Sequence, residues 1–184
     1  MVHENKRILL KDGSFVDMRT PETADAPLLI DYLKTVAGET PFLNRYADEV
    51  RMDPAQEEEW IRSCREDRGL LLSCFSDGKV VGNAHLMRGR LRKNSHQGTI
   101  GIAIRKDWWG RGLGSALFEE LITFAKEQKL EFLNLGLLQP NSRARALYEK
   151  YGFRVVAEVP NQFRLDDGSL VSELLMQLDL RKTV

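Results

Sequence analysis

Residues 108–117 read W-W-G-R-G-L-G-S-A-L, with Gly110, Gly112 and Gly114 at alternating positions. The strand-like run Thr99–Ile104 precedes them, and the helical run Ala116–Lys129 follows. Glycines let a backbone bend sharply and bring its N–H groups close to a ligand. A helix start adds unpaired N–H donors and a partial positive charge. Strand, glycine-laced bend and helix together therefore make a site that suits phosphate oxygens. The bend is not a Walker A loop, because no Gly-Lys-Ser/Thr closes it. Nor is it a dinucleotide fingerprint: the spacing is G-x-G-x-G, and the next strand, Phe132–Leu138, is apolar where an acid is wanted.

The rest of the chain reads as alternating hairpins and helices. Asp12-Gly13 and Asp77-Gly78 sit between apolar runs and predict hairpins over 7–19 and 70–87. Thr20 as N-cap and Pro21 at the first helical position predict a helix ending near Gly38. Residues 38–52 lack periodicity and read as a loop with one helical turn. Asp53-Pro54 opens a second helix, with Gln56 placed to cap it reciprocally. Arg88–Asn94 is a basic turn, either a surface for an acidic group or a solvated hairpin end. On Thr99–Ile104 the small residues Thr99, Gly101 and Ala103 share one face, so a packed helix or a ligand can approach closely. A last hairpin uses Phe163–Leu165, Asp166-Asp167-Gly168 and Val171–Leu180.

Composition narrows the function. The 184 residues carry 27 basic and 27 acidic side chains, which argues against a nucleic-acid partner. No apolar run reaches membrane-spanning length, and the first residues lack a signal-peptide core. Cys64 and Cys74 are the only cysteines, so a reduced, cytoplasmic setting is expected. His3, His85 and His96 are scattered, and no metal site is expected.

The second informative stretch is Asn141-Ser142-Arg143-Ala144-Arg145-Ala146-Leu147-Tyr148-Glu149-Lys150-Tyr151-Gly152-Phe153. Asn141 or Ser142 can cap a short helix; Ala144, Leu147, Tyr148 and Tyr151 share one face, and Gly152 suits the C′ position. From spacing alone Tyr148 is a core tyrosine whose hydroxyl needs a partner. This stretch resembles motif B of the GNAT superfamily of acetyl-CoA-dependent N-acetyltransferases. The glycine bend resembles the end of motif A, Gln/Arg-x-x-Gly-x-Gly/Ala, with Trp109 in the Gln/Arg position. The resemblance is sharp over 97–158 and rests on element order over 14–96.

The resemblance implies an α/β (α+β) fold, one domain over 1–184 with a core over about 14–181. Its mixed, mostly antiparallel twisted sheet has about seven strands flanked by about four helices, splayed between the two central strands. It implies acetyl-CoA as co-substrate and an amine acceptor as partner, with neither nucleic acid nor membrane, and it leaves room for a homodimer. The pantetheine arm is expected along Ile102, Ala103 and Ile104, beside a splay that a β-bulge often accompanies. The diphosphate is expected on the bend through Trp109, Gly110, Arg111, Gly112, Leu113, Gly114 and Ser115, with Asn141, Ala144 and Tyr148 completing the CoA site. Tyr148 is expected to protonate the departing thiolate. Many relatives carry a glutamate on the strand before the glycines, absent here; Glu173 through water is the candidate base, with Asp48, Glu49 and His85 as alternatives. Glu39 to Asp53 are expected to line the acceptor entrance. The acids Glu39, Asp48, Glu49, Asp53 and Glu57–Glu59 suit a cationic amine, and a solvated helix face accounts equally for Glu57–Glu59. The alternative function is a non-catalytic acyl-CoA-binding sensor.

Overall fold

Asp12-Gly13 bends β1 (Lys6–Leu9) back onto β2 (Phe15–Arg19), with Gly13 at φ 83°. In this computed structural model, residues 5–66 and 69–182 are described; His3 lies outside them. After β2 the chain differs from expectation. Thr20 does not cap a helix: the chain stays extended to Glu22, and a 3-10 turn at Thr23–Asp25 leads into α1 (Ala26–Glu39). The turn is organised by Asp25, whose carboxylate accepts the Glu22 N–H at 2.7 Å and is gripped by Arg19 at 2.6 and 3.0 Å. Residues 47–49 form the single helical turn of the following loop. The reciprocal cap of α2 (Pro54–Glu66) is as read: Asp53 N–H donates to Gln56 Oε1 and Gln56 N–H to Asp53 Oδ1.

Asp77 and Gly78 both take positive φ, 48° and 71°, and join β3 (Leu70–Ser76) to β4 (Lys79–Arg88). β5 (Gln97–Ile104) runs antiparallel to β4 without a register shift, so no bulge accompanies the splay there. Then come α3 (Leu113–Glu127), β6 (Phe132–Leu138) and α4 (Ser142–Lys150). β7 (Arg154–Arg164) and β8 (Leu170–Asp179) close the chain. β7 is one long strand where the sequence reads as two pieces. Its register slips at Val155/Ala157 and Val159/Phe163, across Pro160 and the positive-φ Asn161, as strands that contain proline do at bulges.

Among the described residues the sheet order is β1-β2-β3-β4-β5-β6-β8-β7, eight strands rather than about seven. Leu70, Leu71 and Leu72 are all buried because both faces are covered. Leu70 and Leu72 join the cluster under α3 and α4, and Leu71 the cluster under α1 and α2. Among the described residues the only parallel contact lies mid-sheet, where Gln97–Thr99 of β5 pairs with Phe132–Asn134 of β6. Beyond Thr99 and Asn134 the two strands run on unpaired to each other. At the fork a chain of amides crosses three strands: Gln177 Nε2 donates to Asn134 Oδ1 at 2.9 Å, and Asn134 Nδ2 donates to Gln97 Oε1 at 3.0 Å.

Candidate active site

The fork exposes backbone polar groups in a set order. Arg105 N–H bonds Val81 O and Gly89 N–H bonds Gln97 O, so the odd-numbered residues of β5 face β4. By strand alternation Ile100, Ile102 and Ile104 turn their peptide groups toward the gap. Ile104 O is taken by the Trp109 indole N–H at 2.8 Å. Ala103 faces β4, and its carbonyl accepts the Tyr32 hydroxyl of α1 at 2.5 Å. That leaves the N–H and C=O of Ile102 and the N–H of Ile104 open to the gap. On the small face of β5, Ala103 packs against the cluster under α1 and α2, and the space at Gly101 is filled by His85, whose ring would stand 2.4 Å from a Cβ there.

The glycine bend ends in Gly112, the residue before α3, at φ 97°; Gly110 sits at φ 79°. The first amide of this region to find a backbone acceptor is Ala116, on Gly112 O. Among the described residues the N–H groups of Arg111, Gly112, Leu113, Gly114 and Ser115 have no partner. Five consecutive partnerless amides at a helix start fit a diphosphate. Gly114 is needed for a different reason: its Cβ would meet Leu147 of α4 at 2.9 Å, so α4 rides directly on the bend. Cations ring it. Arg143 lies over Trp109 at 4.8 Å and Lys150 donates to Ser115 Oγ at 3.0 Å. Lys11, from the β1–β2 turn, packs against Gly112, and its N–H donates to Arg111 O at 3.0 Å. Arg111 itself pairs with Asp12 at 3.1 Å and lies over Trp108.

One cleft of about 1370 Å³ runs from this bend through the fork to α1 and α2, large enough for two substrates together. Asn141 caps α4 by accepting Ala144 N–H at 3.1 Å and lines the cleft with its other amide atoms. The Tyr148 ring is buried against Phe118, at 5.3 Å between centroids, and Phe153. Its hydroxyl makes no hydrogen bond among the described residues, although Tyr148 lines the cleft. Burial pushes this phenol up to about 12. Glu173 of β8 also lines the cleft, with its carboxylate over Gly136, where a Cβ would lie 2.2 Å from Oε1. His85 lines it too, edge-on to Trp60 at 6.0 Å, and burial pulls its pKa down. Asp48 and Glu49 are exposed, and Glu49 is occupied by the Tyr46 N–H at 2.7 Å. The basic turn after β4 stays outside the cleft; Arg88 reaches Gln128 and Ser95 instead.

The acids of the expected acceptor entrance separate on inspection. Glu58 and Glu59 pair with Arg62 at 2.9 and 2.7 Å on the outer face of α2, whereas Glu57 is buried and lines the cleft. The sequence carries the signal: Glu57 lies four residues before Ile61 and seven before Cys64, on the buried stripe of α2.

A family model described as Acetyltransferase (GNAT) family matches residues 35–153, a span that holds both the bend and Tyr148. The chain belongs to the GNAT family. This GNAT chain is 25% identical over 134 residues to the L-amino acid N-acetyltransferase AaaT of Escherichia coli, covering 71% of this chain and 82% of that protein. It is 27% identical to an L-methionine sulfoximine/L-methionine sulfone acetyltransferase of Pseudomonas paraeruginosa, over 90% of this chain and 95% of the relative. A GNAT acetyltransferase structure from Streptococcus pneumoniae superimposes with a TM-score of 0.85 at 27% identity, covering 90% of this chain and 99% of that one. The protein is an acetyl-CoA-dependent N-acetyltransferase with the GNAT fold.

Proposed function

We propose that the enzyme acetylates the amine of an amino acid or a similar small molecule, by direct attack within the cleft. The observation that carries this reading is the continuity of that cleft, with partnerless amides at one end, Ile102 and Tyr148 in the middle, and Tyr32, Trp60 and His85 at the other. The names of the amino-acid-acetylating relatives support the acceptor class. Acetyl-CoA lays its diphosphate on the amides of Arg111–Ser115 and its pantetheine arm beside Ile102 and Ile104. The amine nitrogen attacks the thioester carbonyl, the carbonyl oxygen gains negative charge, and the Ile102 N–H receives it. One such donor is worth ~10²–10³ in rate. The C–S bond then breaks, and the sulfur leaves with the electron pair and takes the Tyr148 proton. Burial that raises the phenol raises a thiolate beside it as well, so donor and acceptor stay matched. The amine's own proton leaves through Glu173 and water, or directly to solvent, and Tyr148 is reprotonated from the same source.

No helix among the described residues is long and apolar enough to cross a membrane. The buried thiols of Cys64 and Cys74, not joined in a disulfide, favour a reducing compartment, the cytoplasm. The exposed Leu9 and Phe15 at one end of the sheet and Val156 at the other offer a second copy apolar contacts, which sedimentation reads directly. The deciding experiment for the activity is acetyl-CoA with a panel of L-amino acids, following free thiol and the mass of the product. Thiol release with an N-acetylated product is expected; thiol release without any acetylated amine refutes the assignment.

A further inference from the structure

The acids around the acceptor end of the cleft have local work or stand in solvent, and Glu57 does neither. Glu39 accepts the Lys106 N–H at 2.6 Å, Glu49 the Tyr46 N–H at 2.7 Å, and Asp53 the Gln56 N–H at 2.8 Å. Glu58 and Glu59 hold Arg62, and Asp48 is exposed. Glu57 is only 5% exposed and lines the cleft, yet its carboxylate has no hydrogen bond or ion pair among the described residues. A carboxylate can only accept, and a buried one without a donor is costly to hold. Burial raises its pKa, and the charge of exposed Arg45, which makes no ion pair with it, only partly offsets this. His85 is held toward its neutral form by burial and supplies no counter-charge. The same cleft is lined by apolar Leu33, Phe42, Leu43, Met52 and Trp60. Methylene groups suit such walls, the Trp60 ring suits a cation at its face, and Glu57 lacks only an N–H donor.

We propose that Glu57 binds a second cationic group of the acceptor, an ammonium or guanidinium carried on a methylene chain, distinct from the amine that is acetylated. Within the transferase reading, on which this rests, the acceptor is then a basic amino acid or a diamine. The test compares L-lysine and L-ornithine with L-norleucine, whose side chain is uncharged, in the wild type and in Glu57→Gln. A charge-assisted hydrogen bond in a desolvated site predicts a kcat/KM preference for lysine of about tenfold or more. Glu57→Gln brings that ratio near one, through KM for the cationic acceptors. Glu58→Gln, on the outer face of α2, leaves the ratio as it is. Glu57→Gln also melts at or above the wild-type temperature near neutral pH, since it removes an unpaired buried charge. A marked drop in melting temperature would assign Glu57 to the fold and overturn the proposal.

A second measurement separates this proposal from the transferase reading. Putrescine is titrated into the CoA-bound enzyme, where no acetyl group is present. Binding that Glu57→Gln abolishes supports the cation site even if no amine is ever acetylated. Acetylation of lysine and norleucine with equal efficiency, together with no putrescine binding, overturns the cation site and leaves the transferase intact.

Discussion

Tyr148 carries two different loads. Its ring belongs to the aromatic cluster of Phe118, Tyr151 and Phe153, and its hydroxyl has only the cleft to address. Tyr148→Phe keeps the first load and removes the second. Under the proposed mechanism kcat falls by ~10²–10⁴, while KM for acetyl-CoA and the melting temperature barely change. Steady-state kinetics and a thermal melt read both, and an unchanged kcat returns the tyrosine to the core. His85 makes a prediction about pH. Its folded pKa is depressed by burial, so the unfolded chain binds a proton more readily. Stability is then complete above the ordinary histidine value of about 6.5 and is lost as pH falls through the depressed folded value. His85→Gln should flatten the decline in melting temperature between about pH 7.5 and pH 5.5; a decline as steep as that of the wild type would place the titrating group elsewhere.

Among the elements, the bend from β5 into α3 shows how three glycines in one motif serve different ends. Gly110 and Gly112 hold left-handed backbone, and Gly114 lets Leu147 approach. Gly112→Val puts a branched side chain at φ 97° and against Lys11, at a cost of order 1–3 kcal/mol. CoA binding, measured by titration, weakens by about tenfold or more in consequence. Trp109→Phe keeps a ring under Arg143 but frees Ile104 O. Losing one hydrogen bond of ~1 kcal/mol raises KM for acetyl-CoA about fivefold and leaves the acceptor's KM alone. This element was readable from sequence because glycine spacing reports backbone geometry directly, as did the Asp-Gly turns and the Asp53/Gln56 cap. Other features were not. Thr20 and Pro21 look like a helix start, yet the Arg19–Asp25 pair, formed across six residues, moved the start to Ala26. Pro160 and two register slips erased the alternation that would have marked β7 as one strand. Glu57 was hidden within a run of three acids, where local composition is uniform and only the α2 packing face tells them apart. Spacing marks Leu113, Ala116, Leu117, Leu121, Phe124 and Ala125 as the apolar stripe of α3, and Phe118, fully buried, lies beside it.

At the scale of the whole molecule, the sheet is two pieces that share three register pairs, Gln97–Thr99 with Phe132–Asn134. In the proposed site acetyl-CoA would lie between β5 and β6 and bridge them. A ligand present at a hundred times its Kd stabilises by ~2.7 kcal/mol, and for a chain of this size that raises the melting temperature by several degrees. Full CoA should in addition slow hydrogen exchange at the Ile102 and Ile104 amides, since the proposed site lays its pantetheine arm in the fork. Adenosine 3′,5′-diphosphate, which carries no such arm, should leave those two amides exchanging as in the free protein.

The amide chain from Gln177 through Asn134 to Gln97 sits where the two pieces begin to diverge. In the proposed site it would act like the bar tack at the end of a seam, setting how far the slit extends and so how much thioester it admits. Asn134 touches no substrate in this arrangement, yet Asn134→Leu would let the slit lengthen, loosening the grip on the donor from a position well behind the reacting atoms.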